Sequence, residues 1–117
     1  MSIFMEAKNS IFVETFGETP VIKVLDFFLT FDSFDYSNSQ VSVETGVSRI
    51  TLDKIWEELT GKKIIVKTRT IGRADMYKLN KDSQNVNVLL ELSLKLASAF
   101  ADGESAKIIE TAEKTKA

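Results

Sequence analysis

The sequence predicts an α+β domain that is mainly α-helical, with three short helices, a β-hairpin and a longer terminal helix. Between residues 37 and 61, two helix-start signals are separated by a glycine. In residues 64–80, apolar and polar side chains alternate on both sides of a glycine, as they do in two antiparallel strands. Residues 83–102 are apolar around most of a helical circumference. A chain of 117 residues closes one hydrophobic core, so we expect one small domain with terminal appendages.

The first helix is predicted to begin at Pro20. The Thr19 side chain can accept a hydrogen bond from the backbone N–H groups of the first turn, and proline suits the first helical position because no N–H is needed there. Ile22 and Phe27 widen the apolar face of this helix, so we expect burial on more than one side. The residues that form this face at three- and four-residue spacing are Val21, Val24, Leu25, Phe28 and Leu29.

The next two helices have the spacing of a helix-turn-helix. Ser37 and Gln40 form a capping box at the start of the first of them. Gly46 ends that helix within about two turns, Ser48 can cap the next helix, and Gly61 ends it. The apolar side chains that face back from the second helix are Leu52, Ile55, Trp56 and Leu59. An ordinary helical corner has the same pattern, so the motif by itself leaves DNA binding open.

The predicted hairpin favours a DNA-binding helix-turn-helix over an ordinary helical corner. In residues 76–80, Tyr77 and Leu79 fall on one face of the predicted strand, and Met76 and Lys78 fall on the other. A ribbon this short is marginal on its own, so it must pack against the preceding helices. A helix, a helix-turn-helix and a hairpin follow one another in this order in a winged helix. The sequence therefore predicts a winged helix-turn-helix DNA-binding domain in residues 17–82.

The segments that flank this domain differ in character. Residues 1–16 form an amphipathic N-terminal segment, and residues 103–117 form a polar tail that we expect to be a frayed helix or disordered. Residues 83–102 expose more apolar surface than a small domain can cover, which predicts a C-terminal dimerisation helix. The N-terminal segment of the same chain is an alternative cover. The predicted interface stripe is Val86, Leu89, Leu90, Leu94 and Ala97, and a second stripe is Val88, Leu92, Leu96 and Ala99.

The composition argues against an enzyme. The chain has no Cys and no His, which removes the usual nucleophilic thiol, the commonest general base and the commonest metal ligand. Its five glycines do not have the spacing of a phosphate-binding loop. The residue types do not exclude a catalytic site built from carboxylates or lysines alone. We expect no catalytic residues, no metal and no cofactor.

The sequence also lacks the patterns of membrane proteins and secreted proteins. Its apolar stretches are interrupted well before the ~18 residues that a transmembrane helix requires. The first ten residues, MSIFMEAKNS, do not have the basic start and apolar middle of a secretory signal. We therefore expect a cytoplasmic protein with no membrane partner.

Charge is unevenly distributed along the chain. Residues 48–81 carry nine basic and four acidic side chains, whereas the remainder carries six basic and thirteen acidic ones, for a net charge of −2. A protein that is close to neutral does not bind polyanions indiscriminately, but a segregated basic segment is what a local phosphate-contacting surface requires. A solvated basic face without a partner is the alternative.

Three stretches give the sequence a family resemblance. These are FGETPVIKVLDFFL, ETGVSRITLDKIWEEL and TRTIGRADMYKLN. Between Phe16 and Leu92 the chain resembles winged helix-turn-helix transcriptional regulators of the kind abundant in archaea, broadly similar to the MarR, ArsR and PadR groups. The resemblance implies a DNA-binding module and a dimer. The metal and ligand sites of some members do not carry over, because their Cys and His ligands are absent here.

In a winged helix, the helix that begins at Arg49 would enter the major groove with its N-terminal exposed residues nearest the base edges. Arg49 can contact a guanine edge or a phosphate with two hydrogen bonds, and Ile50 can contact a thymine methyl group. The predicted base-reading residues are Arg49, Ile50, Thr51 and Lys54. The alternative is that they are ordinary surface residues of a first helical turn.

Two further sets of residues are predicted to contact the DNA backbone. The first lies at the N-terminus of the preceding helix, where free N–H groups can hold a phosphate, and consists of Ser37, Asn38 and Ser39. The second lies on the wing and consists of Lys67, Arg69, Gly72 and Arg73. Lys67 and Arg69 are two residues apart, which predicts that they share one strand face. Asp75 is expected to pair with Arg69 or Arg73, or to end the turn.

These observations favour a sequence-specific regulator that binds double-stranded DNA as a homodimer. Two recognition helices would address half-sites about one DNA turn apart, so an inverted repeat is expected. One alternative is a winged-helix module that contacts protein within a larger assembly, since Glu57 and Glu58 lie on the presumed recognition helix. A plasmid or viral partition protein, or a chromatin protein, is a further alternative that the sequence does not separate from a regulator.

Overall fold

The computed structural model describes residues 10–113, with side chains described from residue 10 to residue 101. The fold is a winged helix-turn-helix followed by a C-terminal helix, as the sequence predicted. Its elements are α1 (Ile11–Phe16), α2 (Pro20–Thr30), α3 (Asn38–Thr45), α4 (Arg49–Gly61), β1 (Ile65–Ile71), β2 (Ala74–Leu79) and α5 (Gln84–Glu113). Predictions for residues 1–9 and 114–117 lie outside the described residues.

The predicted helix starts are confirmed by the capping side chains. The Thr19 side chain accepts a hydrogen bond from a backbone N–H of the first turn of α2 at 3.4 Å. At α3, the Gln40 N–H donates to Ser37 Oγ at 3.2 Å, and the Ser37 N–H donates to Gln40 Oε1 at 2.8 Å. At α4, the Thr51 N–H donates to Ser48 Oγ at 3.3 Å. These caps satisfy backbone donors that have no partner within the helix.

The turn of the helix-turn-helix depends on Gly46. This residue ends α3 with a φ of 76°, in the left-handed region that glycine adopts without a Cβ penalty. Its N–H donates to the Ser42 carbonyl oxygen, and Ser42 Oγ donates to the Val47 carbonyl oxygen at 2.6 Å. The small side chain at position 42 therefore ties α3 to the chain that enters α4.

Helix α4 ends at Gly61, as the sequence predicted. Gly61 is the last helical residue, but the left-handed residue is Lys63, with a φ of 56°. The Lys63 N–H donates to the Thr60 carbonyl oxygen, and the Ile64 N–H donates to the Leu59 carbonyl oxygen. This is the hydrogen-bond pattern of a Schellman motif, in which glycine is the usual left-handed residue.

The core is formed by the helices and one face of the hairpin. Aromatic rings link these elements, since Phe28 on α2 contacts Trp56 on α4, and Trp56 contacts Tyr77 on β2. The completely or nearly completely buried side chains include Val24, Phe27, Phe28, Val41, Leu52, Ile65, Leu79 and Val86. The hairpin is thus packed on the helices, as its short length requires.

An acidic side chain is also buried in this interior. Asp26 on α2 is almost completely buried, and Ser10 Oγ donates to its Oδ1 at 2.7 Å. Burial raises the pKa of Asp26 because desolvation disfavours its charged form, while hydrogen bonds from Ser10 and Thr30 oppose this effect.

The hairpin contains an irregularity that corrects one prediction. Lys67 pairs with Tyr77 and Arg69 pairs with Met76, so the register shifts at Thr68. Because directly paired residues point to the same face of a sheet, Lys67 and Arg69 lie on opposite faces, not on one face as predicted. Such a bulge re-aims the side chains that follow it.

Helix α5 runs without a break from Gln84 to Glu113, so the boundary predicted at residue 102 is not marked by a helix end. α5 contacts α1 and α2, and Phe12 of α1 is buried in the core. The N-terminal segment therefore covers part of α5, which was the alternative to a dimer for this surface. Within the described part of the chain, no helix combines the length and the apolarity needed to cross a membrane.

Candidate nucleic-acid interface

A groove of about 530 Å³ lies between the N-terminal ends of α3 and α4 and the hairpin. It is bordered by residues from the three stretches that the sequence singled out for DNA contact, which lie far apart along the chain. Its lining includes Ser37, Asn38, Ser39, Arg49, Trp56 and Arg73. The fold therefore brings members of all three predicted sets to one concave surface.

The three predicted residues at the N-terminus of α3 all line this groove, but they differ in exposure and in their hydrogen bonds. Arg49 Nη1 donates to Ser39 Oγ at 2.8 Å, and Asn38 Nδ2 donates to Asp53 Oδ1 at 3.3 Å, so both side chains of α3 are held against α4. Ser37 is buried, and its hydroxyl oxygen caps α3. Capping alone accounts for Ser37, whereas Asn38 and Ser39 reach the surface of the groove.

The outward face of α4 carries the residues predicted to read bases. Ile50 is 79% exposed, so its aliphatic side chain is available for an apolar contact. Thr51 is exposed, and its Oγ1 accepts a hydrogen bond from Ser48 Oγ at 3.1 Å. Lys54 is exposed and makes no ion pair with any side chain among residues 10–101. Leu52 points the other way and is completely buried.

Two of the predicted wing cations are paired with acids. Lys67 Nζ lies 3.2 Å from Asp75 Oδ1. Hydrogen bonds from Thr70 and Lys67 lower the pKa of Asp75, so this carboxylate is charged at neutral pH. Asp75 therefore pairs with Lys67, and not with Arg69 or Arg73 as the sequence suggested. The cause is the bulge, which leaves Lys67 on the same face as Asp75 and turns Arg69 away.

Arg69 instead contacts the loop between α2 and α3. Its Nε donates to Asp35 Oδ2 at 2.9 Å, and its Nη2 donates to Asp35 Oδ1 at 3.1 Å. This two-point contact, together with a hydrogen bond from Thr68, lowers the pKa of Asp35 to about 2.

The tip of the hairpin carries a cation that stays uncompensated. Gly72 has a φ of 62° at the first of the two central turn positions, as a tight hairpin turn requires. Arg73, the second of these positions, is exposed and has no ion-pair partner in the part of the chain with described side chains. Ile71 is exposed beside it and also lines the groove.

Sequence reasoning did not assign a role to Trp56 or Ile71, which line the groove, or to Asp35, which binds Arg69. Trp56 carried a helical-periodicity signal, but that signal marks a core face and does not show which edge borders a groove. Asp35 has no local signal, because its partner Arg69 is 34 residues away. Only the pairing of the loop with the hairpin brings Asp35 and Arg69 together.

The predicted dimer residues are divided between the core and the surface. Val86 is completely buried within its own chain, so it offers no surface to a second copy. Leu89 and Leu90 are half-buried and pack against the core, whereas Leu94 and Ala97 are exposed. Among the side chains of α5 described up to residue 101, the large apolar ones that remain exposed are Val88, Leu92, Leu94 and Phe100. Near the start of α5, the second stripe therefore exposes more apolar surface than the first stripe, because Val88 is exposed and Val86 is buried.

No protein-family model matches the sequence, and no curated protein matches it. The structure is similar to that of BpsR from Bordetella bronchiseptica, a protein whose DNA binding is regulated by 6-hydroxynicotinic acid. The similarity covers 91% of this chain and 82% of the BpsR chain, with a TM-score of 0.53 and 18% sequence identity. At this level of identity the comparison shows a shared fold.

Proposed function

We propose that the chain is a regulator of transcription that binds double-stranded DNA as a homodimer. In this proposal α4 enters the major groove, and the hairpin contacts the backbone or the adjacent minor groove. The observation that carries it is the groove in which Arg49 of α4, Ser39 of α3 and Arg73 of the hairpin tip meet. The similarity of the fold to BpsR, a DNA-binding protein, supports the same proposal.

The chemistry of the groove suits a phosphodiester backbone. Arg49 and Arg73 present guanidinium groups that can each form two hydrogen bonds with a phosphate. Ser39 and Asn38 add short polar side chains at the N-terminus of α3, where the helix dipole favours a negative charge. Contacts of this kind fix the register of the protein on the duplex but do not read sequence.

Sequence would be read by the exposed first turns of α4. Ile50 and Lys54 are one helical turn apart and both point outward. Ile50 offers an apolar contact for a thymine methyl group, and Lys54 can donate to a guanine edge. Thr51 shares its hydroxyl with the cap at Ser48, so its methyl group is the more available part.

A homodimer would place two copies of this surface on one duplex. We propose that α5 forms the interface through Val88 and Leu92, which lie one helical turn apart, because exposed aliphatic side chains on one helix face are stabilised by a partner surface. Twofold symmetry would then present two α4 helices to half-sites about one DNA turn apart. The expected operator is an inverted repeat.

The experiment that tests this function is selection of bound fragments from a genomic pool, sequenced at two salt concentrations. The wild-type protein is compared with an Arg49→Ala/Arg73→Ala variant and with a Lys62→Ala variant, which removes a cation from the opposite end of α4. Enrichment of an inverted repeat that the double variant abolishes and the control retains would support the proposal. Uniform enrichment would favour partition or chromatin binding, and no enrichment would favour protein contact.

A further inference from the structure

The hairpin is fastened to the body of the domain by a set of contacts at its base. We name Asp35, Thr68 and Arg69 the wing anchor. Asp35 accepts two hydrogen bonds from Arg69, at 2.9 and 3.1 Å, and a third from Thr68 Oγ1 at 2.6 Å. Three donors from one strand therefore converge on a single carboxylate in the loop between α2 and α3.

Backbone contacts reinforce the wing anchor from the next residue. The Tyr36 N–H donates to the Tyr77 carbonyl oxygen at 2.7 Å, and the Tyr77 N–H donates to the Tyr36 carbonyl oxygen at 2.8 Å. This bridge lies between the loop and β2, whereas the wing anchor lies between the loop and β1. Both strands are thus held by two consecutive residues of one loop, which restricts rotation of the hairpin about its base.

The bulge at Thr68 is what makes this arrangement possible. Regular alternation would place Arg69 on the same face as Lys67, towards Asp75. The shifted register turns Arg69 to the other face, where Asp35 lies. The Asp35 side chain is only 14% exposed, and the two opposite charges compensate each other. An arginine used in this way has less capacity to neutralise a phosphate than one without an acidic partner.

We infer that Arg69 and Asp35 are positioning residues, which set the angle of the hairpin relative to α4 and so place Arg73 over the groove. The inference assigns Arg69 a different role from the phosphate contact that the sequence predicted. Its consequence for DNA binding rests on the proposed function, but its structural part does not. The two parts can therefore be tested separately.

The structural part is tested without DNA, through Trp56. Trp56 is the only tryptophan in the chain, is 8% exposed, and packs against the Tyr77 ring with centroids 5.3 Å apart. If the hairpin shifts on its base, Tyr77 moves and Trp56 becomes accessible. Asp35→Ala and Arg69→Ala should each increase quenching of Trp56 fluorescence by acrylamide and shift its emission to longer wavelength.

The control for this measurement is Lys67→Ala, which removes an ion pair within the hairpin and leaves the wing anchor intact. It should leave Trp56 quenching unchanged. Circular dichroism verifies that each variant is folded, and Arg69→Lys supplies a milder change, because lysine keeps the charge but not the two-point contact. Unchanged quenching in folded Asp35→Ala and Arg69→Ala proteins would overturn the inference, whether or not the protein binds DNA.

The DNA part compares the dependence of affinity on salt for a selected fragment. Removing a phosphate contact lowers the slope of log K against log salt by about 1, which we expect for Arg73→Ala. Arg69→Ala and Asp35→Ala should both weaken binding and lower the slope by no more than Arg73→Ala does, because each displaces Arg73 from its phosphate, and the Asp35→Ala/Arg69→Ala double variant should be no weaker than either single variant. Tighter binding in Asp35→Ala, which frees the Arg69 guanidinium, together with weaker binding in Arg69→Ala, would instead make Arg69 a phosphate contact.

Discussion

Two neighbouring positions on α4 should respond to alanine in opposite ways. Leu52 is completely buried, so Leu52→Ala removes three carbon atoms from the core at about 0.8 kcal/mol each. The cavity left behind raises the total to about 3–4 kcal/mol, within the range of buried leucines. Ile50 is 79% exposed, so Ile50→Ala should change the free energy of unfolding by less than ~0.5 kcal/mol.

The assay is urea unfolding followed by circular dichroism, with Trp56 fluorescence as a second probe. Domains of this size are stabilised by about 5–15 kcal/mol, so the Leu52→Ala loss is a large and measurable share. On DNA the order should reverse, since folded Ile50→Ala protein should bind a selected site less tightly. Replacing the thymines of that site by deoxyuridine should weaken wild-type binding but not that of Ile50→Ala. Equal destabilisation by the two substitutions would refute the assignment of the two faces of α4.

Three further predictions concern Asp26, Lys63 and the exposed apolar face of α5. Burial raises the pKa of Asp26 above its usual value near 3.8. The contribution of Asp26 to the free energy of unfolding is therefore present at low pH and lost as the pH rises through the folded-state pKa. In urea titrations Asp26→Asn should be more stable than wild type at about pH 7, by a margin that shrinks towards pH 3. Lys63→Gly relieves a left-handed residue and should raise stability by about 0.5–1 kcal/mol in thermal unfolding. The double variant Val88→Asp/Leu92→Asp should sediment as a monomer. Ser98→Asp, which adds a charge at another exposed position of α5, is the control and should keep the sedimentation and the thermal midpoint of the wild type.

Local signals in the sequence were sufficient for the helix starts. A capping side chain and its backbone donor are about three residues apart, so Ser37 with Gln40 and Ser48 with Thr51 could be paired without knowledge of the fold. Gly46 was equally recognisable, since a left-handed turn between two helices favours glycine. The winged-helix order follows from these local elements, and for that reason the fold class was predictable.

Contacts that depend on strand register were not predictable in this way. The bulge at Thr68 adds one residue to β1, and no residue type in the hairpin indicates its position. A shift of one residue reverses the face of the side chains beyond it. Arg69 therefore forms its ion pair with Asp35, and Asp75 forms its ion pair with Lys67. The predicted pairing failed for this geometric reason, while the residue types themselves were correctly identified as the charged part of the wing.

Helix α5 shows a different limit. Apolar side chains surround most of its circumference, so helical periodicity alone does not say which stripe faces the core of the same chain. The structure buries Val86 completely and leaves Val88 exposed, although the two lie only two residues apart. The position of α1 against α5 decides this orientation, and it is a long-range contact.

The charge that DNA would meet also differs from the charge counted along the sequence. Residues 48–81 are basic overall, but Lys67 and Arg69 are compensated by Asp75 and Asp35. Asp35 comes from the acidic remainder of the chain, so part of that acidity holds the basic ribbon in place and does not repel a partner. What remains uncompensated at the tip of the ribbon is Arg73. The affinity of this surface for phosphate should therefore depend on where the tip is held, more than on how many cations the ribbon carries.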